Sequence, residues 1–170
     1  MVDISIRDAH RHEFDALAAI EIDAFQTLSN AGGVDGMPSA MAHEKLEEAL
    51  VAGMLLVAVD AQDVPVGFIA AWPFDGGAYL AEIDVAVAYQ GKGIGRRLIH
   101  SLIDRVTELG LPSVVLTTDR FIAFNGPFYT TCGFRVLEDD ETPATLKAVL
   151  ADEIKNGMQA ERRVAMRLLL

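Results

Sequence analysis

Residues 79–109 read YLAEIDVAVAYQGKGIGRRLIHSLIDRVTEL, an alternating strand-like run that passes, across glycines at 91, 93 and 95, straight into a helical period. Few folds accept such a junction. The strand must end and a helix begin within a turn tight enough to need backbone without side chains. The first amides of any helix lack intrahelical partners, and the helix dipole is positive at that end. Glycines let an anion approach those amides closely. The junction therefore predicts a strand–turn–helix unit with an anion-binding turn. Ile94, Leu98, Ile99, Leu102, Ile103, Val106 and Leu109 fall on one broad face, which predicts a helix over 94–109 packed on a sheet. Gly110 and Pro112 stop it.

The remaining elements extend the pattern. VDISIR (2–7) alternates like a first strand, and Phe14, Leu17, Ala18, Ile20, Ile22 and Phe25 recur near helical spacing over 11–28. SNAGGVDGMPS breaks that helix, and Ser39 is the expected cap of a second one over 40–52, ended by Gly53. MLLVAVD (54–60), VPVGFIAAWPF (64–74) and YLAEIDVAV (79–87) are strand-like runs joined by short turns, which suits an antiparallel meander. After the 94–109 helix come a strand (113–118), a short helix over 125–132 with Asn125 as its cap, a strand (133–137), a helix (143–156) entered through Pro143, and a closing strand in RRVAMRLLL. The expected class is α/β: a mixed, mostly antiparallel central sheet flanked by helices, in a single domain spanning 1–170.

Composition excludes several functions. A formal charge of −11 argues against a nucleic-acid surface, which needs clustered Lys and Arg, and favours cationic partners. About half the residues are apolar, yet no run approaches the roughly 18 needed for a membrane span, and the start MVDISIRDAH has no signal-peptide apolar block. The expectation is a cytoplasmic protein, and the single Cys132, unable to form an internal disulfide, agrees with a reducing compartment. His10, His12, His43 and His100 form no metal-ligand pattern, so no metal is expected.

Two phosphate-binding fingerprints fail on the glycine turn. A P-loop requires Ser or Thr after its lysine, whereas Lys92 is followed by Gly93. In the dinucleotide pattern the third glycine would fall on Arg96 or Leu98. Arg96 and Arg97 stand where the dipole disfavours cations, which an anionic ligand would offset. The plain alternative is a tight turn with solvated arginines.

The segment IDVAVAYQGKGIGRRLIHSLI resembles the acyl-CoA-binding motif of the GCN5-related N-acetyltransferases: a strand, then Gln/Arg-x-x-Gly-x-Gly/Ala, then a helix, matched by Gln90, Gly93 and Gly95. FNGPFYTTCGF resembles the family's downstream Asn…Tyr-x-x-x-Gly-Phe segment, matched by Asn125, Tyr129, Gly133 and Phe134. The resemblance covers roughly residues 2–137. It implies the family's fold and acetyl-CoA as co-substrate, with Val85, Ala86 and Val87 along the pantetheine arm. Gln90, Gly91, Lys92, Gly93, Ile94, Gly95, Arg96 and Arg97 would form the pyrophosphate turn, and Asn125, Phe128 and Tyr129 would lie beside the arm and the thioester sulfur. Val87 stands where the family often has proline.

Amide formation needs a proton removed from the attacking nitrogen and one supplied to the departing thiolate. Tyr129 is the expected acid, because a phenol is protonated at neutral pH; otherwise it is a core tyrosine under Gly133 and Phe134. Strand alternation sets Glu82, Asp84 and Ala86 on one face and Ala81, Ile83, Val85 and Val87 on the other. Two acids on an otherwise apolar strand are paired with arginines, in contact with solvent, or in use. The resemblance favours Glu82 as the base, since acids in this part of the strand often serve the family so, with Asp84 orienting it or receiving the ammonium. Glu21 and Asp23 fall where the family shapes its acceptor pocket, although acids on a helix usually face solvent. Cys132 reads as small apolar packing, and Trp72, Phe121 and Phe124 as core or acceptor-site lining. The expected function is direct acetyl transfer from acetyl-CoA to a primary amine, possible homodimerisation included. The alternatives are a noncatalytic acyl-CoA-binding sensor or interaction module and, behind it, a nucleotide-binding protein.

Overall fold

Alternating apolar runs in the middle of the chain become the antiparallel meander they suggest. The computed structural model describes residues 3–170. In chain order the elements are β1 Ser5–Asp8, α1 Phe14–Asn30, α2 His43–Val51, β2 Leu55–Val59, β3 Pro65–Phe74, β4 Gly77–Val85, α3 Ile94–Glu108, β5 Ser113–Asp119, α4 Gly126–Thr131, β6 Arg135–Val136, α5 Ala144–Lys155 and β7 Arg163–Leu169. Single 3-10 turns occupy Arg11–Glu13, Val87–Tyr89 and Ala160–Arg162. The strands form one seven-stranded sheet in the order β1-β2-β3-β4-β5-β7-β6. Every neighbouring pair is antiparallel except β4 and β5. No helix among the described residues is long and apolar enough to cross a membrane.

Helices cover both faces. On one, α3 presents Leu98, Ile99, Leu102 and Val106, each at most 1% exposed, to Leu56, Ile69, Leu80 and Leu116 of the sheet. Burying one such side chain is worth roughly 1.5–3 kcal/mol. On the other, Leu17 and Ile20 of α1 and Leu46 and Ala49 of α2 pack on Leu55, Val57, Phe68 and Ala70. Leu146 of α5 extends that layer over Val115 and Ala165.

Some boundaries move, each for a local reason. The second helix begins at His43 behind Ala42, not at residue 40 behind Ser39. Met41 N–H is instead drawn to Glu21 Oε2 at 2.7 Å, which keeps the approach to α2 extended. Asn125 precedes α4 but its side chain makes no capping bond; its carbonyl accepts from Tyr129 N–H. β4 spans 77–85 rather than 79–87, because Val87 enters a 3-10 turn. The 133–137 strand shrinks to Arg135–Val136. Residue 2 of the expected first strand lies outside the described residues.

The decisive feature is a bulge. Ala70 faces Glu82 while Ala71 faces Leu80, so Ala81 is an extra residue in β4. The bulge takes Ala81 out of the alternation expected for 81–87, which holds from Glu82 to Ala86. Leu80 and Ile83 share the α3 face, while Glu82 and Asp84 stand on the α1 face opposite Ala70 and Phe68. Bulges bend the strand that carries them. β4 and β5 pair only at Ala78–Val114 and Tyr79–Val115. Beyond those two pairs they diverge, and the sheet splits open.

Candidate active site

The split between β4 and β5 is a cavity of about 700 Å³ that runs from the glycine turn to α5. At its end beside the glycine turn, Gly91 and Gly93 have φ of 72° and 78°, a left-handed backbone that explains glycine at both positions. Arg97 N–H is taken by Gly93 O at 3.2 Å, whereas the amides of Lys92 to Arg96 have no backbone acceptor among the described residues. A Cβ added at Gly91 or Gly93 would meet nothing within 4 Å, and at Gly95 only Phe128 Cζ at 3.8 Å. The turn is therefore an open row of donors at the start of a fifteen-residue helix, a fit for a pyrophosphate.

Gln90 locks this turn in place. Its Nε2 donates to Val85 O at 2.9 Å, and its Oε1 accepts from Thr27 Oγ1 at 3.0 Å. Asp23 Oδ2 accepts Val87 N–H at 2.7 Å, and Ala86 N–H goes to Val66 O. Of the three residues expected along the pantetheine arm, Val85 lines the cavity, while the amides of Ala86 and Val87 are engaged within the fold. The arginines find protein acceptors. Arg97 donates to Ile4 O at 2.7 Å, and Arg96 donates to Thr131 O and Oγ1 and to Cys132 Sγ. No anionic ligand is needed to explain their side chains; Arg96 instead ties α3 to α4.

Asn125, just before α4, and Phe128 and Tyr129 of α4 reach the cavity. Tyr129 packs edge-on against Phe134 and beside Phe128. Burial pushes its phenol well above the ordinary value, helped by the fields of Glu82 and Asp84, so it stays protonated. Cys132 is buried and its thiol raised, chiefly by burial. It is a packed thiol.

Glu82 and Asp84 come together as expected, and Glu21 of α1 joins them: oxygens of the three carboxylates lie within 4.8 Å of one another. That donor set is close enough to share one cation. Burial raises Glu82 well above the usual carboxylate range, reinforced by Asp84 and Glu21. Burial and then Glu21 push Asp84 up to about 7, with Glu82 acting in the opposite sense. Burial also raises Glu21. A solvent-facing position for Glu21 is thus incorrect. It follows Leu17 by four residues and precedes Ala24 by three, on the buried stripe of α1, and that spacing was the available signal.

At the far end, Thr117 Oγ1 donates to Glu153 Oε1 at 2.6 Å, and Arg163 grips both oxygens of Glu153 at 3.0 Å. Tyr79 OH lies 3.2 Å from Thr117 Oγ1. This floor joins β4, β5, α5 and β7, and nothing in the local sequence links residues so far apart. Phe124 and Met158 also line the cavity, whereas Trp72 packs behind the sheet and Phe121 is exposed.

A family model described as the acetyltransferase (GNAT) family matches residues 15–134. The chain belongs to the GNAT family. It is an acetyl-CoA-dependent acetyltransferase. Solved structures of similar fold include a GNAT-family acetyltransferase from Staphylococcus aureus Mu50, at TM-score 0.73, 19% identity and 99% coverage of each chain. PaiA N-acetyltransferase from Thermoplasma acidophilum, solved in complex with coenzyme A, matches at TM-score 0.72 and 18% identity, again over 99% of each chain. The Escherichia coli ribosomal-protein-S18-alanine N-acetyltransferase matches at TM-score 0.65 and 18% identity, over 98% of this chain and 94% of that one. In this acetyltransferase the open amides of the glycine turn and the split beside Val85 are the features that fit the co-substrate.

Proposed function

We propose that this acetyltransferase moves the acetyl group of acetyl-CoA directly to a primary amine, using the Glu82–Asp84 pair as base and Tyr129 as acid. Acetyl-CoA supplies the activated acyl group. The open amides from Lys92 to Arg96 hold its pyrophosphate, with Val85, Gln90, Asn125 and Phe128 along the arm. The observation that carries the reading is the carboxylate pair in the split opposite a protonated, cavity-lining Tyr129.

The pair is better suited to the task than Glu82 alone. Two carboxyls that share a proton titrate as a unit, and their shift toward neutrality matches a base to the working pH. The amine arrives as an ammonium, attracted by the acidic lobe. It loses one proton to the pair before the neutral nitrogen attacks; as the adduct collapses, the Tyr129 hydroxyl donates to the leaving sulfur, and the second proton shed by the nitrogen restores the tyrosine through water. No metal and no covalent enzyme intermediate take part in this scheme.

Thiol release with a panel of amines tests the proposal. For the best amine, kcat/KM of the native enzyme is expected to rise with pH through the titration of the pair and then level off. Glu82→Gln removes that limb. Its kcat/KM at neutral pH falls and recovers in part at higher pH, where solvent has already deprotonated the amine. Superimposable profiles would remove Glu82 from the mechanism.

A further inference from the structure

Beyond Ala86, whose N–H still reaches Val66 O, the chain has left the sheet and runs through the Val87–Tyr89 turn to Gly91. Two side chains of α1 hold that stretch at its ends. Asp23 Oδ2 accepts Val87 N–H at 2.7 Å, and Thr27 Oγ1 donates to Gln90 Oε1 at 3.0 Å. Residues four apart stand on one face of a helix, so a single face of α1 spans the turn. Gln90 completes the frame by donating from Nε2 to Val85 O at 2.9 Å, whereas Tyr89 adds only a long bond, 3.5 Å, to Asp60 Oδ2.

Asp23 is exposed and does not line the cavity, unlike Thr27 and Gln90. Its charge works against a phosphate bound at the glycine turn, so electrostatics alone argues against an acid here. Its bond acts in the opposite sense. Gly91 and Gly93 have positive φ, and glycine loses more freedom on ordering than any other residue. A turn already held at its base loses less when its amides close on an anion. That hold has to come from outside the turn, because Val87 N–H opens the 3-10 turn and, like the first amides of any helix, has no partner within it.

We propose, building on the reading that the amides of Lys92 to Arg96 hold the pyrophosphate, that Asp23 is a positioning residue for acetyl-CoA: through Val87 N–H it fixes the junction from which those amides are presented.

Calorimetry with acetyl-CoA on folded variants tests this. Asp23→Ala removes the acceptor from an exposed helical position, where alanine is the best helix former, and is expected to weaken acetyl-CoA binding about tenfold. Asp23→Asn keeps an acceptor oxygen and drops the charge, so it is expected to bind at least as tightly as the native protein. Val87→Pro makes the bond unnecessary. Ala86 already has φ −52° and ψ 138°, the extended backbone that a following proline requires, and the ring removes the N–H while fixing φ at a first-turn value. In the Val87→Pro background, Asp23→Ala should no longer change the affinity. In thiol release with the best amine of the panel, Asp23→Ala should raise the KM for acetyl-CoA by more than it lowers kcat. Native affinity in Asp23→Ala, equal losses in Asp23→Asn and Asp23→Ala, a loss confined to kcat, or a loss that persists beside Val87→Pro overturns the proposal. Should Val87→Pro fail to fold, the contrast between alanine and asparagine decides. Gly95→Val keeps the two readings apart. Native affinity in Gly95→Val removes the pyrophosphate reading and the positioning role with it; a weakened Gly95→Val beside an unweakened Asp23→Ala sinks the positioning role alone.

Discussion

Tyr129 packs in the core and also lines the cavity, where the proposed mechanism uses its hydroxyl. Its ring fills the space between Phe128 and Phe134 at centroid distances of 5.5 and 5.8 Å, and its phenol is kept protonated by burial and by the acids across the split. Tyr129→Phe preserves the ring and removes only the donor. The variant is expected to keep its affinity for acetyl-CoA and to lose about 10²-fold in kcat, the usual scale for a positioned acid. Rapid-quench kinetics under conditions where chemistry limits turnover checks it, and a native kcat would remove the assignment. Tyr129, Glu82 and Asp84 could be singled out as candidates because each sits in a local pattern: a motif position for the first, two acids on an apolar strand for the others. Glu21 was harder to rank, because a helical acid takes its meaning from what the helix lies on.

At the scale of elements, the glycine turn and α1 depend on each other. Gln90 reaches back to Val85 O and is met by Thr27, and Asp23 accepts Val87 N–H, so α1 braces the turn. Arg96 carries the same framework to α4 through Thr131. Gly95 has ordinary helical backbone, and an added Cβ would meet only Phe128 at 3.8 Å, so Gly95→Val is expected to fold. Its side chain would stand among the open amides. Acetyl-CoA affinity is expected to drop by roughly 1–3 kcal/mol, the loss of one or two charge-assisted bonds. Calorimetry on the folded variant measures this, and unchanged affinity would leave the turn a structural one. Asp119 braces the approach to α4, taking amides from Phe121 and Ile122 and the Arg162 guanidinium at 2.6 Å. Although burial pulls the other way, those bonds hold its carboxyl below its usual range.

Across the whole molecule, stability registers the acids in the split. Asp84 titrates near 3.8 when unfolded and at about 7 when folded, raised by burial and then by Glu21, and Glu82 is raised with it. A raised carboxyl favours the fold fully below its unfolded value, and that contribution is lost as pH climbs through the folded one. The protein is therefore expected to lose stability between about pH 4 and 7, on the order of a few kcal/mol shared by the pair. Asp84→Asn should flatten that decline. Urea unfolding at several pH values checks it, and an equally steep loss in the variant would show that the pair is not its source. Asp119 works in the opposite sense, its contribution disappearing only as pH falls through the acid range. The sequence alone determined the order of the elements, the mixed sheet and the glycine turn, because periodicity and glycine placement act over a few residues. Tertiary structure decided that Ala81 is an extra residue in β4, that β4 and β5 part after two pairs, and that Glu21 joins Glu82 and Asp84. It also built the Glu153–Arg163 floor. Each of these is fixed by register and packing between segments far apart in the chain, which no local pattern encodes.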